Sequence, residues 1–107
     1  MTLTELLVTL KEKDHETWEE VTRFQVACCH AVRDQLLDNL QGCIQRAIQT
    51  RGWFYAQYNY ATVLGRYSTK PQYYADIATD YAKVDSQAQT ASETLLSAYL
   101  KALEAEG

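Results

Sequence analysis

One proline and four glycines are the only strong chain-breakers in 107 positions. The alternating strand pattern and the turn dipeptides of a β protein are missing, as are internal repeats and low-complexity stretches. Long apolar runs are lacking too. The first residues, MTLTELLVTLKEKDHE, contain too short an apolar run for a membrane span, and no basic leader or small-residue cleavage site, so no signal peptide is expected. There is no glycine-rich phosphate loop and no serine-centred nucleophile elbow, and no carboxylate pair stands out from surface charge. These absences lower the expectation of an enzyme. The three cysteines, Cys28, Cys29 and Cys43, are an odd number without framework spacing, which points to free, buried thiols in a reducing, cytoplasmic setting.

Apolar residues make up 47% of the chain, and the helix formers Ala, Leu, Gln, Glu and Lys dominate both halves. A single all-α domain spanning 1–107 is expected. Thr2 followed by Glu5 is a capping-box pattern, and Leu3, Leu6, Leu7 and Leu10 recur behind it, which predicts a helix over 3–12. Thr17 with Glu20 repeats the pattern before Trp18, Val21, Phe24, Cys28, Val32, Leu36, Leu40, Cys43 or Ile44, and Ala47. A second helix over 17–64 follows from this spacing, with a possible bend at 51–52, where Arg51 falls on the apolar seam just before Gly52.

Gly65 reads as a helix stop, and Thr69 with Gln72 as a third capping box. From Tyr74, apolar residues at 77, 81, 84, 88, 91, 95, 98 and 102 alternate three and four apart. That period predicts a third helix over 70–105 with a coiled-coil-like seam, roughly 54 Å long at 1.5 Å per residue. The short connection GRYST makes the second and third helices an antiparallel helical hairpin, completed as a small helical bundle by the first.

Charge is distributed unevenly. Residues 39–75 hold no acid and four bases (Arg46, Arg51, Arg66 and Lys70), between an N-terminal flank with eight acids and a C-terminal flank with six. Within this island, RGWFYAQYNY packs five aromatic residues into ten positions. On a helix these rings run most of the way round, more than one hairpin partner can cover. They either line the boundary of a small core or form an interface, in which Trp, Tyr and Arg are the usual anchors. The candidate interface residues are Arg51, Trp53, Tyr55, Tyr60, Arg66 and Tyr67.

Two patterns invite a metal. Glu12-Lys13-Asp14-His15 contains one copy of the Glu-x-x-His pair that di-iron bundles use twice, and reads better as a solvated link between helices. Cys28-Cys29-His30 offers three ligands, but consecutive helical positions lie about 100° apart and cannot all face one ion. No cofactor or metal is therefore assigned. Tyr81-Ala-Lys-Val-Asp85 resembles the Tyr-x-x-x-Asp/Glu pattern of small helical-hairpin proteins of the WXG type. The resemblance covers five residues, the Trp-x-Gly turn is missing because Gly52 precedes Trp53, and nothing of that family's secretion is carried over.

The expected function is non-enzymatic protein–protein interaction, as an adaptor, assembly component or small regulator, with a second copy of the chain or another protein as partner. The alternative is a module whose basic, tyrosine-rich region contacts nucleic acid or an anionic membrane, which a net charge of −4 disfavours. A third class is a helical-bundle enzyme or metal protein using His15 or His30.

Overall fold

The computed structural model describes residues 2–27, 33–59, 73–80, 82–88 and 90–106. Helix α1 spans Leu3–Lys13 and begins as the sequence pattern implies, with the Thr2 hydroxyl oxygen accepting from Glu5 N at 3.3 Å. Asp14 ends it and starts the next helix. Its N–H donates to Leu10 O at 2.7 Å, its carbonyl accepts from Trp18 N at 3.1 Å, and its carboxylate accepts from Thr17 N at 3.3 Å. Helix α2, His15–Ala27, therefore starts two residues before the expected cap Thr17, which is buried in its first turn.

Helix α3 spans Arg33–Thr50 and is stopped, not bent, at Gly52. Gly52 has φ +75, its N–H donates to Gln49 O at 3.0 Å, and Trp53 N donates to Ile48 O at 3.1 Å. This pair of bonds is a Schellman motif, which needs a left-handed residue that only glycine adopts freely. Ile48 and Trp53 are both buried and supply the apolar contact that accompanies the motif.

Past that stop the chain is extended. Strands β1 (Phe54–Asn59), β2 (Tyr73–Ala78) and β3 (Lys83–Ala88) form an antiparallel sheet in the order β1-β2-β3. The register sets Phe54 opposite Ala78 and Tyr55 opposite Ile77, and then Ile77 opposite Val84. Helix α4, Ala91–Glu106, closes the described chain, with the Thr90 hydroxyl accepting from Glu93 N at 3.2 Å.

The fold is thus α+β, which corrects the all-α expectation. The helical hairpin and its coiled-coil seam do not form, because the predicted partner helix stops at Gly52 and gives way to β1, and the first half of the seam is strand. Within the expected helix over 17–64 stand most of α2, then α3 and β1, with residues 28–32 and 60–64 outside the described residues. Within the expected helix over 70–105 stand β2, β3 and nearly all of α4, with residues 70–72, 81 and 89 outside the described residues. Ile77 and Val84 stand seven apart, as two seam positions would, but they are partners across a tight hairpin in which Thr79 N donates to Ala82 O at 2.8 Å. Asp85 lies on β3 and Tyr81 outside the described residues, so the five-residue WXG-type pattern is not helical at its acidic end.

Helices cover one face of the sheet. α4 packs on β2 and β3, α3 packs on α4 and β1, and α1 and α2 close against α4 and α3. The core between the layers contains Leu6, Leu10, Leu40, Ile44, Ile48, Trp53, Ile77, Leu95, Leu96 and Tyr99. Gln41 and Gln57 exchange side-chain hydrogen bonds at 2.5 and 3.2 Å, and Gln57 also donates to Ala91 O at 3.2 Å, which ties α3, β1 and the start of α4 together. The opposite face of the sheet carries positions 54, 56, 58, 74, 76, 78, 83, 85 and 87, one side of the pleat. No described helix is long and apolar enough to cross a membrane.

Candidate functional site

The aromatic stretch divides at the helix stop. Strand alternation turns Trp53 and Phe54 to opposite sides, so Trp53 is only 6% exposed and Phe54 is 78% exposed. Tyr55 is partly buried against the core. Trp53, a candidate for either the core boundary or an interface, is a core residue, whereas Phe54, which the sequence reading leaves out of the candidates, is an exposed ring. Tyr60, Arg66 and Tyr67 lie outside the described residues.

Arg51 faces a polar cluster at the junction of α1, α2, α3 and α4. The Tyr99 hydroxyl donates to Asp14 Oδ2 at 2.5 Å and accepts from Arg51 Nε at 3.0 Å. Thr17 donates its hydroxyl to the same Asp14 oxygen at 2.6 Å, and Arg51 Nη2 stands 3.8 Å from it. The guanidinium also lies over the Trp53 ring at 5.3 Å and the Tyr99 ring at 5.9 Å. Beside the cluster opens a cleft of roughly 350 Å³ whose walls include Glu16, Glu20, Arg46 and Thr50. Four of its charges are mutually engaged, since Arg46 pairs with Glu20 as Arg51 does with Asp14.

Burial alone would raise the Asp14 carboxyl, but the hydrogen bonds from Thr17 and Tyr99, with Arg51 nearby, outweigh it and hold the carboxyl below its ordinary value. For Tyr99, burial first and the adjacent Asp14 second push the phenol up to about 12. Near neutrality Tyr99 is therefore a fixed proton donor and Asp14 a fixed acceptor, and together they clamp the α1–α2 junction to α4. A spectrophotometric alkaline titration is expected to show a tyrosine ionising near pH 12 that is absent from Tyr99→Phe. A raised folded value means that the stabilising contribution of Tyr99 is complete below pH 10 and is lost as pH rises through 12. Ionisation of every tyrosine in a single step near pH 10, with the chain still folded, would contradict this geometry.

The other proposed chemistry-bearing residues are placed as follows. His15 is exposed, bonds Glu19 at 2.9 Å and stacks on Trp18 at 5.4 Å. Cys43 is free and buried, its thiol raised first by desolvation. Cys28, Cys29 and His30 lie outside the described residues, and among the described residues no three His, Cys, Asp or Glu side chains group to hold a metal ion.

The surface around Phe54 differs from the polar cleft. Phe54 and Ala56 are exposed at the β1 end of the outward face, the charged positions Lys83 and Asp85 lie at the β3 end, and Asp76 of β2 stands between them. Next to Phe54 a groove of roughly 400 Å³ is lined by Gln49, Gly52, Trp53 and Tyr55. A ring beside a groove can anchor a partner's side chain and supply one in return. The signal for it was present in the sequence: with Gly52 read as a stop, period-two alternation from Trp53 puts position 54 outside. Comparison of the chain with protein-family models, with curated proteins and with solved structures gives no match.

Proposed function

We propose that this protein works without catalysis, as a protein–protein interaction or assembly component, and docks its partner on the uncharged β1 end of the outward sheet face. The 78% exposure of Phe54 carries the proposal. A large ring left in water, beside a groove and away from the charged end of the sheet, is the kind of group that association buries. Tyr55 borders the groove and belongs to the proposed surface, while Tyr60, Arg66 and Tyr67 belong to it on sequence grounds alone. The engagement of Arg46 with Glu20 and of Arg51 with Asp14 favours a protein partner over nucleic acid or an anionic membrane, because two of the island's four bases are already neutralised. The free thiol of Cys43 supports a reducing, cytoplasmic location.

Phe54→Asp is the test. Because the ring is exposed, the variant should keep the wild-type circular dichroism spectrum and lie within about 0.5 kcal/mol of wild-type stability. The immobilised wild-type chain is expected to retain a defined protein that the Phe54→Asp chain does not. Equal retention by both chains, or salt-sensitive binding of oligonucleotides or anionic vesicles in place of a protein, would overturn the proposal.

A further inference from the structure

We infer that the partner docked at this surface is a second copy of the same chain, paired antiparallel along the edge of β1 that faces away from β2 into a two-fold dimer with one continuous six-stranded sheet. The inference rests on the reading of the Phe54 surface as a protein-docking site and names its occupant.

The two edges of the sheet differ in their protection. β3 carries Lys83 and Asp85, and Lys101 of α4 reaches across to donate to Asp85 O at 2.9 Å. Charged side chains and covered carbonyls of this kind keep other strands away. β1, with the sequence FYAQYN, has no charge and no proline, and among the described residues no strand pairs on its far side. It is six residues long, enough for a stable strand pairing.

The ladder shows which backbone groups that edge offers. Thr79 N donates to Ala82 O, which makes 79 and 82 a hydrogen-bonded pair. Alternation then makes Ile77–Val84 hydrogen-bonded across β2–β3 and Ala56–Asp76 hydrogen-bonded across β1–β2. The N–H and C=O groups of Tyr55 and Gln57 consequently point away from β2. The bond from Lys101 agrees with this alternation, since it finds the Asp85 carbonyl pointing outward.

A two-fold axis perpendicular to the sheet keeps both helical layers on one side and requires facing residues to share a face. Placed at Ala56, it sets Ala56 against Ala56 of the partner subunit, lets Tyr55 and Gln57 exchange backbone bonds, and brings Phe54 opposite Tyr58 of the partner subunit. A small residue then stands at the axis, and no facing pair is charged. Placed at Gln57, the axis would set two glutamines against each other although each amide is already bonded to Gln41 and Ala91 O. Self-complementarity about Ala56 is what favours a second copy over an unrelated strand.

Light scattering on the reduced chain over a concentration series is expected to give twice the 12.2 kDa chain mass. Ala56→Lys and Ala56→Glu each place like charges across the axis while Ala56 is solvent-exposed, so each variant should stay folded and return to the mass of one chain. Mixed in equal amounts, the two variants should recover the doubled mass. Gln87→Lys, also exposed on the outward face but on β3, should leave the doubled mass unchanged. A wild-type chain that is monomeric throughout, a dimer indifferent to both Ala56 variants, or a mixture that stays monomeric would overturn self-pairing. Any of those results leaves the docking role of Phe54 to its own test, in which another protein is retained by the wild-type chain and lost from Phe54→Asp.

Discussion

Trp53→Ala should destabilise the fold by about 3–5 kcal/mol, the range for deleting a large buried ring. The indole is 6% exposed, stands 6.0 Å from the Tyr99 ring, and provides with Ile48 the apolar contact that closes the end of α3. Its loss opens a cavity where α3, β1 and α4 meet and removes the surface over which Arg51 lies. Small domains have a net stability of only about 5–15 kcal/mol, so the variant should lose much of its margin. A thermal melt followed by circular dichroism should show Tm lower by roughly 15 °C or more. An unchanged Tm would mean that the ring is not packed as described. The sequence leaves Trp53 open as a boundary residue of the core or an interface anchor; its burial favours the core, and Phe54 takes over the test of docking.

Asp14→Ala is the second large effect, about 2–3 kcal/mol. The carboxylate caps α2, a role worth roughly 1 kcal/mol. It is also the acceptor for the Tyr99 hydroxyl, and a buried O–H donor left without an acceptor costs roughly 1–3 kcal/mol. The Asp14 side chain is only 13% exposed, so water does not readily replace it. The same residue predicts an acid limb. Its folded pKa lies below the ordinary 3.8, so its contribution is complete above that value and is lost as pH falls through the lower, folded one. Urea midpoints measured from neutral pH downward should fall for the wild-type chain below about pH 4. Asp14→Asn can still cap α2 but carries no charge, and it should lack that part of the decline. If wild type and Asp14→Asn lose stability in parallel throughout the acid range, the clamp contributes nothing to pH dependence.

Both effects belong to residues whose importance the sequence only half discloses. Asp14 stands in the polar run KEKDHE, where a solvated link is the natural reading, yet Asp14 with Thr17 obeys the same capping logic as Thr2 with Glu5. Thr90 with Glu93 obeys it too and caps α4. Both starts are hidden when a helix is taken to begin at Thr17 or to run through 90. Tyr99 gives no local sign of its role, because its partners Asp14 and Arg51 are 85 and 48 positions away. The outward position of Phe54 becomes legible once Gly52 is taken as a stop.

Strands were the hardest part to read, and their composition explains why. β2 and β3, YYADIA and KVDSQA, contain alanine, glutamine, lysine and aspartate, which favour strands weakly. Their inward positions include Ala75 and Ser86, too small or too polar to mark an apolar alternation, although both are buried. Ile77 and Val84, the strong apolar markers, sit symmetrically about a four-residue turn and so mimic a seven-residue repeat.

By itself the sequence determined what interactions within a few residues decide: the Thr2 cap and the apolar stripe of α1, the special place of Gly52, and the buried face of α4 at Leu95, Ala98 and Ala102. These depend on local geometry, which a chain carries wherever it goes. Only the tertiary structure decided that 54–59, 73–78 and 83–88 are strands, that Trp53 lies inside and Phe54 outside, and that Asp14, Arg51 and Tyr99 meet. The extended backbone of those segments is held by bonds to other strands and by the cover of α3 and α4, so pairing and packing outside each segment chose a conformation that local propensity left open.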